Sequence, residues 1–358
     1  MDIYQADTQL AAARHLRWMP DRIALADGEI TVDGWVLTVW DAQERLRFLV
    51  NGVDFDQIEW PIASPDLLGP FSHIPNAAAS RFRCRHRVPN GWALFPDGFA
   101  RFNVTSQFGE HRLSYRTAWY LADPAWEPAM PSSAQIARVI GSGDEHAFRF
   151  GGATIVKRFE QLLLERFGRP LASFEQILDW GCGAGRLTRY LSMLSPMVTG
   201  IDIDPDNIAR CAMALPSTHF LKVDLMPPTS LPDAAFDLVV GVSVLTHLDE
   251  PVQNAWLAEL RRITRPDALL LLSVEGLAQM ALYRRPAELR RETHTKGIVD
   301  GGANTQLGDV ISDTAYYRNV MHSPDYIMTA WSAWFDVLDI VEGIAGNQDL
   351  VLLRRRQD

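Results

Sequence analysis

Apolar and polar positions follow two different rhythms along this 358-residue chain. Before about residue 125 the apolar residues come in short β-rich runs: "GWVLTVW", "RLRFLV", "FARFNV" and "RLSYRTAWYL". Asx-Gly pairs punctuate them at Asp27-Gly28, Asp33-Gly34, Asn51-Gly52, Asn90-Gly91 and Asp97-Gly98. Such pairs supply the positive φ angles of tight hairpins, so this half predicts an all-β, sandwich-like domain. The stretch "DPAWEPAMPSS", 123–133, then carries three prolines in eight residues. Proline continues neither a strand ladder nor a helix interior, which predicts an exposed linker and domains at 1–128 and 129–358.

From Gln135 the rhythm becomes helix alternating with strand. "ATIVKRFEQLLLERFG" has helical apolar spacing, and apolar strands are expected at 176–180, 197–202, 236–241 and 268–274. That alternation predicts a parallel α/β sheet with helices on both faces. "WFDVLDIV" and "QDLVLLRR", joined by a short loop, predict an antiparallel hairpin at one edge. Segment 276–325 is too long for a plain connection and is expected to form a lid over an acceptor.

Candidate chemistry concentrates in "ILDWGCGAGRL", 177–187, where a strand runs into Gly181, Gly183 and Gly185. Glycines there let the backbone turn sharply and approach a ligand. A dinucleotide fingerprint would have a third glycine where Arg186 stands, and Asp179 at the lip would repel a pyrophosphate. The carboxylate suits a ligand with ammonium and sulfonium groups, namely S-adenosylmethionine. Asp202 ends the second strand in "VTGIDID", 21 residues past Gly181, and is positioned for ribose hydroxyls. Asp224 in "LKVDLM" is positioned for the adenine amino group.

Composition acts mainly by exclusion. A net charge of −10 argues against nucleic acid as a partner, because phosphate neutralisation needs a basic surface. Cys84, Cys182 and Cys211 show no metal-ligand spacing and suit a reducing cytoplasm. The N-terminal residues lack a secretory pattern, and no apolar run reaches the roughly 20 residues that span a bilayer. The expectation is a soluble cytoplasmic protein without metal.

With "ILDWGCGAGR", "VTGIDID", "FDLVVGVSVLTHL", "WLAELRRITRP" and "FDVLDIVEGIAGNQDLVLLRR", residues 140–358 resemble the class I S-adenosylmethionine-dependent methyltransferases. More narrowly they look like the bacterial group associated with glycan and secondary-metabolite biosynthesis. The resemblance implies a Rossmann-like sheet of seven strands with an antiparallel C-terminal hairpin. It implies cofactor contacts from Asp179, Gly181, Cys182, Gly183, Gly185, Asp202, Ile203, Asp224, Leu225 and Ser243. Two departures stand out: "RPDALLLL" lacks the glycine pair usual after that proline, and Glu275 stands where relatives often have histidine.

Methyl transfer to a hydroxyl needs the acceptor aligned and its proton removed. Candidate bases are His247 in "VLTHLDE" and Glu275 at the end of the fifth strand. His294, Tyr316, Tyr317 and His322 in the lid are candidates for lining the acceptor site. In the first half, Arg81, Arg83, Arg85 and Arg87 share one strand face, either solvated or a stripe for phosphate or uronate groups. Seven of the eleven tryptophans precede residue 127, as core or as platforms for sugar rings. The reading is methylation of a sugar or glycan hydroxyl, with the N-terminal domain for binding or assembly and a homo-oligomer through it left open. The alternatives are a natural-product O-, N- or S-methyltransferase, and a cofactor-binding interaction protein without turnover.

Overall fold

The computed structural model describes residues 16–38, 46–72, 74–89, 94–108, 111–112, 118–282, 287–305, 307–308, 310, 313, 315–345 and 347–357. The chain divides into two compact units. Residues 1–127 with 146–154 form one, and residues 128–145 with 155–358 form the other. None of the described helices is long and apolar enough to cross a membrane.

The N-terminal unit holds two antiparallel sheets. Its strands are β1 (Leu16–Ala26), β2 (Glu29–Thr38), β3 (Leu46–Val50), β4 (Val53–Asp54), β5 (Gln57–Ile62), β6 (Arg81–Arg87), β7 (Phe99–Phe108), β8 (His111–Arg112) and β9 (Ala118–Ala122). One sheet runs β1-β2-β6-β5; the other runs β4-β3-β7-β8, with β9 also on β7. Asp27-Gly28 and Asn51-Gly52 form two-residue hairpin turns, all four residues at positive φ. Asp33-Gly34 is different: it lies inside β2 and not in a turn. A Cβ on Gly34 would stand 2.4 Å from the Met19 carbonyl, so the glycine serves the close approach of β1 beside its irregularity at Pro20–Arg22. Asn90-Gly91 lies outside the described residues.

Strand β6 shows why this half folds as it does. Phe82, Cys84 and His86 are buried, while Arg81, Arg83 and Arg85 point the other way. The arginine face carries its own counter-charge. Arg81 pairs with Asp21 and Asp66, Arg83 and Arg22 share Asp33, and Arg85 faces Glu29 and Glu59. The stripe is a salt-bridge ladder rather than a row of cations waiting for an anion.

In the second unit seven strands form one sheet: β10 (Ile177–Trp180), β11 (Val198–Asp202), β12 (His219–Lys222), β13 (Phe236–Gly241), β14 (Thr264–Val274), β17 (Asp336–Ala345) and β18 (Gln348–Arg354). Their order is β12-β11-β10-β13-β14-β18-β17. The first five are parallel, and β18 and β17 close the edge antiparallel. Strands β15 (Ile298–Ala303) and β16 (Arg318–His322) make a separate hairpin within the 276–325 segment. The helix Glu250–Ile263 starts at Asp249, whose carboxylate accepts from the Val252 N–H at 3.1 Å. Its apolar face places Trp256, Leu257, Leu260 and Ile263 in the core under the sheet.

The proline segment is only partly a tether. From Pro128 onward it is fastened, because the buried Arg189 guanidinium donates to the Pro128 and Ala129 carbonyls at 3.3 and 2.9 Å. A chain truncated to begin at Ser132 removes those acceptors from a buried cation. It is expected to be less stable than a chain beginning at Pro128 by roughly 1–3 kcal/mol. Urea unfolding of the two truncated chains measures the difference, and equal midpoints contradict the role given to Arg189.

Candidate functional site

Strand order reverses around β10, which pairs with β11 on one side and β13 on the other. Open α/β sheets hold ligands in the crevice beyond the strand ends at such a point. Here a cavity of about 500 Å³ opens, lined on one side by Asp179, Gly181, Cys182, Gly183 and Arg186. Gly181 turns the chain at φ 72°, and a Cβ there would lie 2.4 Å from Val244 Cγ2. Only glycine fits that corner.

Two carboxylates fix the turn from below. Asp202 accepts from the Gly183 N–H at 2.8 Å and from the Asp204 N–H at 2.9 Å. Asp179 is 1% exposed and accepts from the Thr188 hydroxyl at 2.5 Å. Burial pushes its carboxyl up to about 6, against the Thr188 hydrogen bond; the Asp202 charge adds to the rise and Arg186 opposes it. Burial likewise raises Asp202 and lowers Arg186.

On the opposite wall, Ser243 follows β13 with φ 61°, a costly conformation for a residue with a Cβ. Its N–H donates to Ser273 Oγ at 2.8 Å, and both hydroxyls converge on Gln348 Oε1. His247 ends the 3₁₀ turn Leu245–His247. Its Nδ1 lies 2.8 Å from the Arg318 carbonyl, and its ring stacks on Tyr317 at 4.1 Å between centroids. A carbonyl only accepts, so Nδ1 carries the proton and Nε2 keeps its lone pair. Burial lowers the His247 pKa to about 4, so the ring is neutral at pH 7. Tyr316 donates to the Leu225 carbonyl, which Trp256 Nε1 also reaches at 3.0 Å.

Residues 177–267, spanning β10 to the start of β14, match the family model described as a methyltransferase domain. Over that stretch the chain is similar to methyltransferase domains. It is 34% identical over 99 residues to a malonyl-[acyl-carrier protein] O-methyltransferase of Serratia marcescens, covering 28% of this chain and 38% of that one. It is 30% identical over 155 residues to a ubiquinone biosynthesis O-methyltransferase of a Methylobacterium species, covering 36% and 61%. The chain thus spans less than two thirds of either relative. Among solved structures it is similar to a Burkholderia thailandensis 1,6-didemethyltoxoflavin-N1-methyltransferase, at 20% identity and TM-score 0.40, covering 69% of this chain and 99% of that one.

The fold brings many of the expected site residues to the cavity wall: Asp179, Gly181, Cys182, Gly183, Asp202, Ile203, Ser243, His247, Tyr316 and Tyr317. Others it does not. Gly185 sits beneath the turn, and a Cβ there would meet Cys211 Sγ at 3.1 Å. Asp224 points outward, its side chain 83% exposed and paired with Lys222. Leu225 takes part through its carbonyl, while its side chain lies outside the lining. Glu275 is buried off the cavity, where its carbonyl accepts from the His322 N–H at 2.9 Å. His294 is exposed in the last turn of the helix Ala287–Lys296. His322 is fully buried and bonded to Gln253, not to the cavity.

Sequence reasoning missed Arg138 and Gly141, from the helix Ser133–Ile140 and its cap, and also Gln279, Leu307, Asn347 and Gln348. They come from four separate stretches, so no local motif announces them. Cys182 is inert, since burial holds its thiol far above the ordinary range.

The buried histidines carry a stability consequence. Burial pushes His322 down to about 3 and His247 to about 4, against 6.5 when unfolded. Between those limits the unfolded chain binds more protons, so both destabilise the fold as pH falls from about 6.5 towards 4. Asp179 and Asp202 act the other way, because burial raises both carboxyls, Asp179 to about 6 from an ordinary 3.8. The histidines begin to act from pH 6.5, above the folded value of Asp179, and stability is expected to fall on acidification below pH 6.5. Urea unfolding at pH 7.5 and pH 5 tests this; a midpoint that rises at pH 5 contradicts it.

Proposed function

We propose that this chain is an S-adenosylmethionine-dependent methyltransferase that methylates a hydroxyl of a sugar or glycan intermediate, with His247 as general base. S-adenosylmethionine, when bound, would supply a methyl group carried on a sulfonium sulfur, with S-adenosylhomocysteine as the leaving group. The observation that carries the reading is the pair of carboxylates at the glycine turn, buried Asp179 and half-buried Asp202. Two acids at that corner repel a pyrophosphate and favour a ligand with ammonium and sulfonium charges. The fit extends to the ribose: a carboxylate offers about four lone-pair sites, and Asp202 spends two on backbone N–H groups.

His247 does the protein's own chemistry. Its Nε2 accepts the hydroxyl proton as the oxygen attacks, and the Arg318 carbonyl holds Nδ1–H through the step. Gln279, Asn347 and Gln348 line the same cavity and offer the donors and acceptors that a polyhydroxylated acceptor needs. A second reading, a small-molecule O-methyltransferase, is supported by the names of the two curated relatives, neither of which is a glycan enzyme. The N-terminal unit serves in either case as a binding or assembly module.

Asp179 provides the test. Its carboxylate must be ionised to favour a cation, yet it stands at about 6 before one binds. S-adenosylmethionine is therefore expected to bind about tenfold more weakly at pH 5 than at pH 7.5, the factor by which ionisation falls. S-adenosylhomocysteine, which lacks the sulfonium charge, should lose less. Equal affinity for S-adenosylmethionine at both pH values, by calorimetry, removes Asp179 as the cationic partner.

A further inference from the structure

The turn that carries His247 is tied to strand β16 at two places. One is the bond from His247 Nδ1 to the Arg318 carbonyl. The other runs through two side chains that are fully buried, Gln253 and His322. Gln253 Nε2 lies 3.0 Å from the Leu245 carbonyl and 2.7 Å from the Leu248 carbonyl, which bracket His247. An amide nitrogen has two hydrogens, and the two carbonyls take both. His322 Nε2 lies 3.0 Å from Gln253 Oε1 and 2.9 Å from Gln253 Nε2; with both amide hydrogens on the carbonyls, the bond left to form is from His322 Nε2–H to Oε1. His322 is thereby assigned the Nε2–H tautomer, and its Nδ1 is buried with no hydrogen-bond partner among the described residues.

We propose that Gln253 and His322 are positioning residues for His247: together they hold the 245–248 turn against β16, so that Nδ1 meets the Arg318 carbonyl and Nε2 faces the cavity. The inference rests on His247 as the base for its catalytic consequence, but the tie itself is independent of turnover. Of the ways these buried groups can bond, only donation from His322 Nε2 to Gln253 Oε1 leaves both carbonyls satisfied, and that favours a single geometry. An apolar filling of the same space would leave the Leu245 and Leu248 carbonyls without these donors, and the turn would be free to shift. The β16 end of the tie is itself anchored, since the His322 N–H donates to the Glu275 carbonyl and β16 pairs with β15. The groups facing His247 are the Tyr317 ring and the Arg318 carbonyl, and its lowered basicity comes from burial.

The tie separates His322→Gln from His322→Leu. Glutamine places an amide N–H near the original Nε2–H and keeps the bond to Gln253, whereas leucine fills the space without a donor. In His322→Leu, and in Gln253→Met, His247 is expected to become solvated. Its titration midpoint by NMR should then rise from about 4 to 6 or above. With a hydroxyl acceptor, kcat should drop at least tenfold with KM for the cofactor within a few-fold, and its acid limb should move up in pH with the midpoint. His322→Gln should match the wild type in both. A leucine variant that keeps the wild-type midpoint overturns the proposal, as does a glutamine variant that behaves like leucine. Should the variants not fold, the wild-type protein still decides. Nitrogen NMR is expected to show His322 protonated at Nε2 and His247 at Nδ1, and the reverse tautomer at either overturns it. If the NMR results hold while His247→Gln retains turnover, the tie stands and the assignment of the base fails.

Discussion

Replacing His247 by glutamine is expected to lower turnover with a hydroxyl acceptor by roughly 100- to 10,000-fold, with cofactor affinity unchanged within a few-fold. Glutamine retains an N–H that can reach the Arg318 carbonyl but has no basic nitrogen for the cavity. The wild-type profile carries a second mark of the same residue. An ordinary histidine would make the rate rise through about pH 6–7. Burial moves the His247 pKa to about 4, so the rate should be flat from about pH 5.5 upward. Steady-state kinetics of both proteins across pH measure this, with S-adenosylhomocysteine release as the signal. Wild-type turnover in the variant would leave proximity, or another group, to carry the step.

Asp202→Ala is expected to weaken S-adenosylmethionine binding by about 1–3 kcal/mol, the usual loss for a charged hydrogen-bond acceptor. The substitution acts twice, removing the acceptor for the ribose and releasing the Gly183 N–H that fixes the glycine turn. Asp202→Asn keeps one oxygen and should recover part of the loss. Equilibrium dialysis on folded variants gives the answer, and unchanged affinity in Asp202→Ala contradicts the assignment.

The sheet was legible in the sequence because its signals are local. The runs at 176–180, 197–202, 236–241 and 268–274 coincide with β10, β11, β13 and β14, since strands buried on both faces read as unbroken apolar runs. The same locality misled at Asp33-Gly34, where the dipeptide of a hairpin turn serves a close strand approach within β2. The glycine turn and Asp202 were readable as a motif because they lie at strand ends, and the fold joins them at the cavity through the Gly183 N–H. Asp224 was placed by the same logic, but β12 ends at Lys222 and leaves the carboxylate in solvent beside that lysine.

Beyond the motif and Ser243, His247, Tyr316 and Tyr317, the cavity wall was not legible. Arg138, Gln279, Leu307 and Gln348 are brought together by the chain's path over the sheet, which no pattern in any one segment encodes. His322 shows the limit most clearly. In sequence it is a lid histidine and hence a candidate for the acceptor; in the structure it is fully buried against Gln253, 69 residues away. Burial turned a polar side chain from a candidate ligand contact into part of the frame.

The most direct measurement is calorimetric titration of the full chain at pH 7.5 with S-adenosylmethionine and, separately, with NAD. The account expects one saturable site for S-adenosylmethionine, weakened in Asp202→Ala, and no comparable binding of NAD, whose pyrophosphate the Asp179 and Asp202 carboxylates repel. Tighter binding of NAD than of S-adenosylmethionine, or no saturable binding of S-adenosylmethionine to the folded protein, would contradict it.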